Sequence, residues 1–259
     1  MKRFFCFVLS VFLIMPLLSS CSKVQKSTIK VGLEENLLPY CYYNDKGEAD
    51  GFYVKAIEEI AEKSGFSDVE IYPCSFGELE EKLERKEIDC FASKNKNGKE
   101  NLLKSESFFY TGAAFLINPK SRFSDAATID EILNANVCTL KNGNEKRNFK
   151  FLNLTELDSV QQIENAISNE GADAFSGDYL IARALRATAN EELLFKIFPD
   201  TDLAGEDNCH YLYFRGNDIQ LCSKLNSAIE CFTLKDSQDI AENQMKIISE
   251  IKFKKTVEK

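Results

Sequence analysis

The sequence predicts an α/β protein built as two successive units, and three observations carry that prediction. Short β-rich runs alternate with amphipathic helical stretches, capping signals stand where helices should begin, and 44% apolar content over 259 residues is ample for a core. The first unit opens with the β-rich run Ile29 to Leu33. Val54, Ile57, Ile60 and Ala61 then recur at helical spacing over Tyr53 to Ser64, with Gly65 as the stop. Val69 to Tyr72 reads as the next strand, Ser75-Phe76-Gly77-Glu78 as a capping box ahead of Leu79 and Leu83, and Ile88 to Ala92 as the third strand. This is a βαβαβ unit, for which a right-handed parallel sheet is expected.

A second unit begins near Asn118. Thr128-Ile129-Asp130-Glu131 is another capping box, Asn136 to Leu140 and Phe149 to Leu154 read as strands, and Val160, Ile163 and Ile167 mark one helix face. Ala172 to Ser176 follows as a strand, and Asp178 stands where an N-cap belongs, ahead of a helix over Tyr179 to Thr188. Leu194 to Phe198 and His210 to Phe214 are strand-like, and helices over Asp218 to Phe232 and Ser237 to Ile251 close the chain.

The N-terminus has a separate character. Lys2 and Arg3 precede the apolar run Phe4 to Leu18, and small residues lead into Cys21, the layout of a secretory signal peptide over residues 1–20. The run is short for a membrane span. Leu18-Ser19-Ser20-Cys21 resembles the bacterial lipobox, which implies lipidation of Cys21, a tether over 21–27, and an exported protein anchored to a membrane by its lipid.

Charge narrows the partners. Without Lys2 and Arg3 the chain carries 30 basic against 41 acidic residues, a balance that repels nucleic acid and anionic membrane surfaces and favours small molecules or proteins. Beyond Cys6 and Cys21, seven cysteines remain, an odd number, so at least one thiol is left out of any intramolecular pairing. Cys222 and Cys231, about 13 Å apart along one helix and on opposite faces, are not expected to bond to each other. Most of the seven read as small buried hydrophobes. No Cys-x-x-Cys occurs and His210 is the single histidine, so neither a metal nor a cofactor is expected.

In open α/β sheets ligands bind beyond the carboxyl ends of the strands, which directs attention to Glu34 to Tyr43, Pro73 to Phe76, Ser93 to Asn101, Lys141 to Asn148 and Gly177 to Asp178. Further residues stand in a telling order: Val31-Gly32, Leu38-Pro39-Tyr40, Asp50-Gly51-Phe52-Tyr53-Val54, Ile88-Asp89, Ser105 to Gly112, Ala172-Asp173-Ala174 and Asp178. In this joint order the chain resembles the bacterial extracellular solute-binding proteins for polar amino acids, the family 3 type. It looks like the lipid-anchored receptor of an ABC importer.

That resemblance implies a two-lobed, hinged fold of the periplasmic-binding-protein type II kind. Residues 28–117 and 210–259 would form lobe one and 118–209 lobe two, a monomer whose cleft closes on an amino acid or related amine and presents it to an ABC permease. It further implies that Asp178 accepts hydrogen bonds from the ligand's ammonium, although helix capping alone would account for the residue. Tyr40 and Phe76 would wall the cleft or pack in the core. The carboxylate side departs from the family, whose arginine position falls on Gly98; no arginine lies between Arg85 and Arg122. Lys94, Lys96 or Lys99 would have to supply the charge, without the bidentate fork of a guanidinium, or else form a solvated loop. The resemblance would also make Ser93 a hydroxyl donor and Asn144, beside the family's Gly-Thr position, an amide donor to the ligand carboxylate, Asn144 equally serving a turn. Two other classes stand beside the receptor: a surface sensor or interaction lipoprotein with a degenerate cleft, and an exported dehydratase of the same fold, for which Asp178 or Glu35 would be the acid or base.

Overall fold

The computed structural model describes residues 27–94, 101–141, 151–189, 192–198 and 208–257. Its first sheet holds β1 (Thr28–Glu34), β4 (Asp68–Cys74) and β5 (Cys90–Ser93), all parallel, with α1 (Phe52–Lys63) and α2 (Phe76–Glu84) as the crossovers. This is the expected βαβαβ unit. A small ribbon of β2 (Tyr42–Tyr43) and β3 (Ala49–Asp50) precedes α1. Apolar faces dictate the packing: Ile57, Ile60 and Ala61 of α1 and Leu79 and Leu83 of α2 are all buried. Ser75 caps α2 as expected, its N–H donating to Glu78 Oε2 at 3.0 Å.

The start of α1 fixes the loop before it. Phe52 and Tyr53 donate their N–H groups to the Pro39 and Tyr40 carbonyls, both at 2.9 Å, which satisfies two donors that a helix N-terminus leaves open. Gly51 stands at φ 130°, and a Cβ there would meet Tyr40 O at 2.5 Å, so this approach of loop to helix requires glycine. Tyr40 is thereby held buried at the end of the first sheet.

Two more strands complete that sheet from later in the chain. β13 (Cys209–Arg215) lies antiparallel to β5, and β6 (Leu102–Lys104) antiparallel to β13, giving the order β4-β1-β5-β13-β6, while β7 (Phe109–Tyr110) pairs with the start of β13. The second sheet has the order β10-β9-β11-β8-β12, from β8 (Ala113–Ile117), β9 (Asn136–Leu140), β10 (Asn153–Leu157), β11 (Ala174–Asp178) and β12 (Leu194–Lys196). Here β10, β9 and β11 are parallel, and β8 and β12 run antiparallel to their neighbours.

Ala113–Ile117 belongs to this second sheet, although the sequence puts it at the end of the first lobe. Every residue of Ala113-Ala114-Phe115-Leu116-Ile117 is buried, so the stretch shows no alternation that would separate strand from strand terminus. The first crossing between sheets therefore lies at Thr111-Gly112. Thr111 N–H donates to Asn208 O at 2.9 Å, which ties this crossing to the start of the returning segment.

Several elements differ from expectation at their edges. The capping box at Thr128 opens only the single turn α3 (Ile129–Ile132), and Glu131 accepts from Ala127 N–H at 2.7 Å. The strand expected over Phe149 to Leu154 is β10 instead, later by a few residues, because Phe151 packs beside the Phe115 cluster ahead of it. α4 (Val160–Ser168) and α5 (Tyr179–Thr188) flank the second sheet, followed at the C-terminus by α6 (Ile219–Ile229) and α7 (Leu234–Val257). Met245 and Ile248 of α7 pack on Ala184 of α5, and the Arg183 guanidinium engages both Glu242 oxygens, so the C-terminal helix braces the second-sheet helix.

Candidate functional site

Asp178 is the last residue of β11 and the N-cap of α5, and both roles follow from local sequence. Ala-Phe-Ser-Gly-Asp is an all-buried strand, and the apolar Tyr179-Leu180-Ile181 that follows turns helical once its first N–H groups find an acceptor. Asp178 Oδ1 supplies it, accepting from Leu180 N–H at 2.8 Å and Ile181 N–H at 3.2 Å. Only 3% of Asp178 is exposed.

Groups from distant parts of the chain converge on the same carboxylate. Tyr40 Oη donates to Oδ1 at 2.7 Å from the loop that α1 holds. Lys94 Nζ, at the end of β5, donates to Oδ2 at 3.0 Å, and Thr111 Oγ1, at the sheet crossing, donates to Oδ2 as well. The site thus joins the carboxyl end of the first sheet to the carboxyl end of the second. Burial pushes the Asp178 carboxyl up, but the Lys94 ammonium and the hydroxyls of Thr111 and Tyr40 overcome it and hold the group at about 2, ionised at neutral pH. Burial, and then the Asp178 charge, push the Tyr40 phenol well above its ordinary range.

Behind Thr111 stands His210, fully buried on β13. Its Nε2 is 2.9 Å from Thr111 Oγ1 and its Nδ1 2.7 Å from Tyr53 Oη. The ionised carboxylate can only accept, so the single Thr111 hydroxyl proton points to Asp178 and its oxygen must accept from His210 Nε2–H. That leaves Nδ1 as acceptor from the Tyr53 hydroxyl. Directed donation therefore runs Tyr53 to His210 to Thr111 to Asp178. The imidazole is neutral, since burial lowers it to about 3 against the partial opposition of Asp178.

Asp178, Tyr40, Tyr53 and Lys94 border a cavity of about 60 Å³. Tyr40, Phe76, Phe175 and Leu140 line it with apolar surface, Ser93, Lys94 and Asp178 with polar groups, and Glu34 and the exposed Lys141–Asp158 ion pair at 3.3 Å also contribute. Of the residues singled out from sequence, Asp178, Tyr40, Phe76, Ser93 and Lys94 are brought together here. Lys99, Asn144 and Cys21, with Gly98, lie outside the described residues. Lys94 faces the carboxylate of Asp178, a partner that its sequence context does not suggest.

Thr111, His210 and Tyr53 are the members that sequence reasoning passes over. Residues 40, 53, 111, 178 and 210 share no spacing, and the signals available for the missed members are Tyr53 in Asp50 to Val54 and Thr111 in Ser105 to Gly112, two of the runs that carry the resemblance. Among the described residues no group of three or more His, Cys, Asp or Glu could hold a metal ion, and no helix is long and apolar enough to cross a membrane. All seven cysteines from Cys41 onward are free thiols, and Cys222 is buried while Cys231 is exposed.

Comparison with known proteins gives a consistent result. No curated protein matches the sequence. Among solved structures the fold is similar to an amino acid ABC transporter substrate-binding protein from Streptococcus pneumoniae bound to L-arginine, at TM-score 0.71 and 19% identity, over 86% of this chain and 95% of that one. It is also similar to an ancestral arginine-binding protein bound to glutamine (TM-score 0.68, 18% identity, 85% and 98% covered). A third is the arginine-bound truncated ArgBP from T. maritima (TM-score 0.65, 20% identity, 80% and 97% covered). The α/β architecture of two sheets is thus the two-lobed binding-protein fold. Residues 29–250 match the family described as bacterial extracellular solute-binding proteins, family 3, and the chain belongs to that family.

Proposed function

We propose that the protein captures a free amino acid, or a closely related amine, in the cavity between its two sheets and delivers it to an ABC permease. The observation that carries this reading is Asp178: an ionised, buried carboxylate at the cavity wall, seated where β11 meets α5 and reached by groups from both sheets. An anion so placed complements a ligand cation, and a charge-assisted hydrogen bond to it contributes about 1.5–3 kcal/mol. Tyr40 and Phe76 would shape the apolar walls, while Ser93, Lys99 and Asn144 would serve the ligand's polar end. The lobes would divide at Thr111-Gly112 and at Asn208, so that ligand binding favours closure about those two points. Cys21 would carry the lipid that keeps this monomer on the outer side of a bacterial membrane. The role is capture without turnover.

Thermal unfolding of purified protein, first refolded to strip bound ligand and then screened against the amino acids and simple amines, tests this reading. Ligand at 100 times its dissociation constant adds about 2.7 kcal/mol, a rise of about 5–10 °C for a chain of this size. The rise should vanish in Asp178→Asn, which keeps a side-chain oxygen for the helix cap and removes the charge. A rise that survives that substitution would move the site elsewhere. No rise with any of these compounds would favour an interaction lipoprotein with a degenerate cleft.

A further inference from the structure

Asp178 already has as many partners as a carboxylate can take. Oδ1 accepts from Tyr40, Leu180 and Ile181, and Oδ2 accepts from Thr111 and Lys94. Five donors on about four lone-pair sites leave no place for a sixth. Four of the five are fixed by the fold: two are backbone N–H groups of α5, and Tyr40 and Thr111 are buried on short, rigid attachments. The exception is Lys94, a long side chain that is 16% exposed and bears a primary ammonium, the same chemical group as an amino acid's amine. The remaining cavity beside this cluster is about 60 Å³.

We infer that Lys94 is an internal competitor of the ligand: its ammonium occupies the amine subsite on Asp178, and a ligand amine binds by exchange with it. This inference rests on the receptor reading above and names the subsite's chemistry, a primary ammonium. Exchange keeps the cleft electrically balanced in both states, since Asp178 is never left buried without a cation. It also sets the affinity. If a fraction f of molecules has Lys94 withdrawn, the apparent dissociation constant is the intrinsic one divided by f. A cation held at 3.0 Å on a buried carboxylate keeps f small, and only ligands with an amine strong enough to replace it are retained. Lys94 then lowers the affinity of every ligand that must reach Asp178 by the same factor and keeps neutral solutes, which cannot replace a cation there, off the Asp178 end.

The test is calorimetric titration of L-arginine, L-glutamine and N-acetyl-L-glutamine into the wild-type protein and into Lys94→Gln and Lys94→Met. Gln keeps a neutral donor for Asp178, so one variant remains readable if Met fails to fold. Arginine or glutamine should bind the variants at least about tenfold more tightly than the wild type, corresponding to an f of about one tenth or less. N-acetyl-L-glutamine, whose amine is blocked, should gain nothing. Equal or weaker binding of arginine and glutamine by the variants would overturn the inference while leaving the receptor reading intact, because Lys94 would then be a bystander or a ligand contact. An equal gain for the acetylated compound would overturn it too, since the effect would not pass through the amine. If neither wild type nor variants bind any of the three, the receptor reading fails for amino acids, and this inference fails with it.

Discussion

Acidification should destabilise this protein through one residue, His210. The sequence contains a single histidine, and in the folded protein it is wholly buried, held neutral by burial with a proton affinity lowered to about 3. In the unfolded chain the same imidazole titrates near its ordinary value of about 6.5. The folded value is the depressed one, so between about 3 and 6.5 the unfolded state binds the extra proton, and stability rises with pH across that window. It is fully present above 6.5 and lost as pH falls toward 3. Integrating from pH 7 to pH 5, where the folded imidazole stays unprotonated, gives a loss of about 2 kcal/mol, or about 4–8 °C in Tm. Asp178 does not contribute there. Its folded value of about 2 lies below the unfolded value of about 3.9, so its contribution is present above 3.9 and lost only as pH falls toward 2. Lower pH also relieves repulsion in a chain of net charge −9, an effect of opposite sign that a variant without the histidine measures directly. Urea unfolding at pH 7 and pH 5 should therefore show the loss in wild type and not in His210→Gln, each protein serving as its own reference. The same change between pH 7 and pH 5 in wild type and in the variant would refute the buried neutral histidine and the chain of donors built on it.

Other outcomes follow from the same geometry. Thr111→Val leaves His210 Nε2–H without its acceptor and Asp178 without one donor. It should cost about 2–4 kcal/mol in urea unfolding and raise the Asp178 carboxyl from its depressed value, with Thr111→Ser restoring most of both. Gly177→Ala places a Cβ against the ring of Phe175, two residues earlier on the same face of β11, where both residues line the cavity. A loss of about 1–3 kcal/mol and a smaller ligand-induced thermal shift are expected, and unchanged values would contradict the packing. Cys21→Ser should release the protein from the membrane fraction and abolish incorporation of labelled fatty acid, whereas continued membrane association would remove the lipid-anchor proposal.

The sequence determined much of this protein because much of the fold is written in local terms. The periodicity of Val54, Ile57 and Ile60, the reciprocal Ser75–Glu78 cap and the Asp178 cap before Tyr179 each depend on residues within one or two helical turns. Parallel strands joined by helices then follow from connection length and handedness. Motif order added the family and the two-lobed plan. Tertiary structure alone decided the rest. Ala113–Ile117 joined the second sheet because a fully buried strand carries no alternation to say which neighbours it will take. Lys94 found Asp178, 84 residues away, and Tyr53, His210 and Thr111 formed one directed chain, because carboxylates, hydroxyls and imidazoles removed from water must satisfy one another wherever the two crossings bring them together. No spacing encodes those partners. They are selected by burial, and burial is a property of the whole fold.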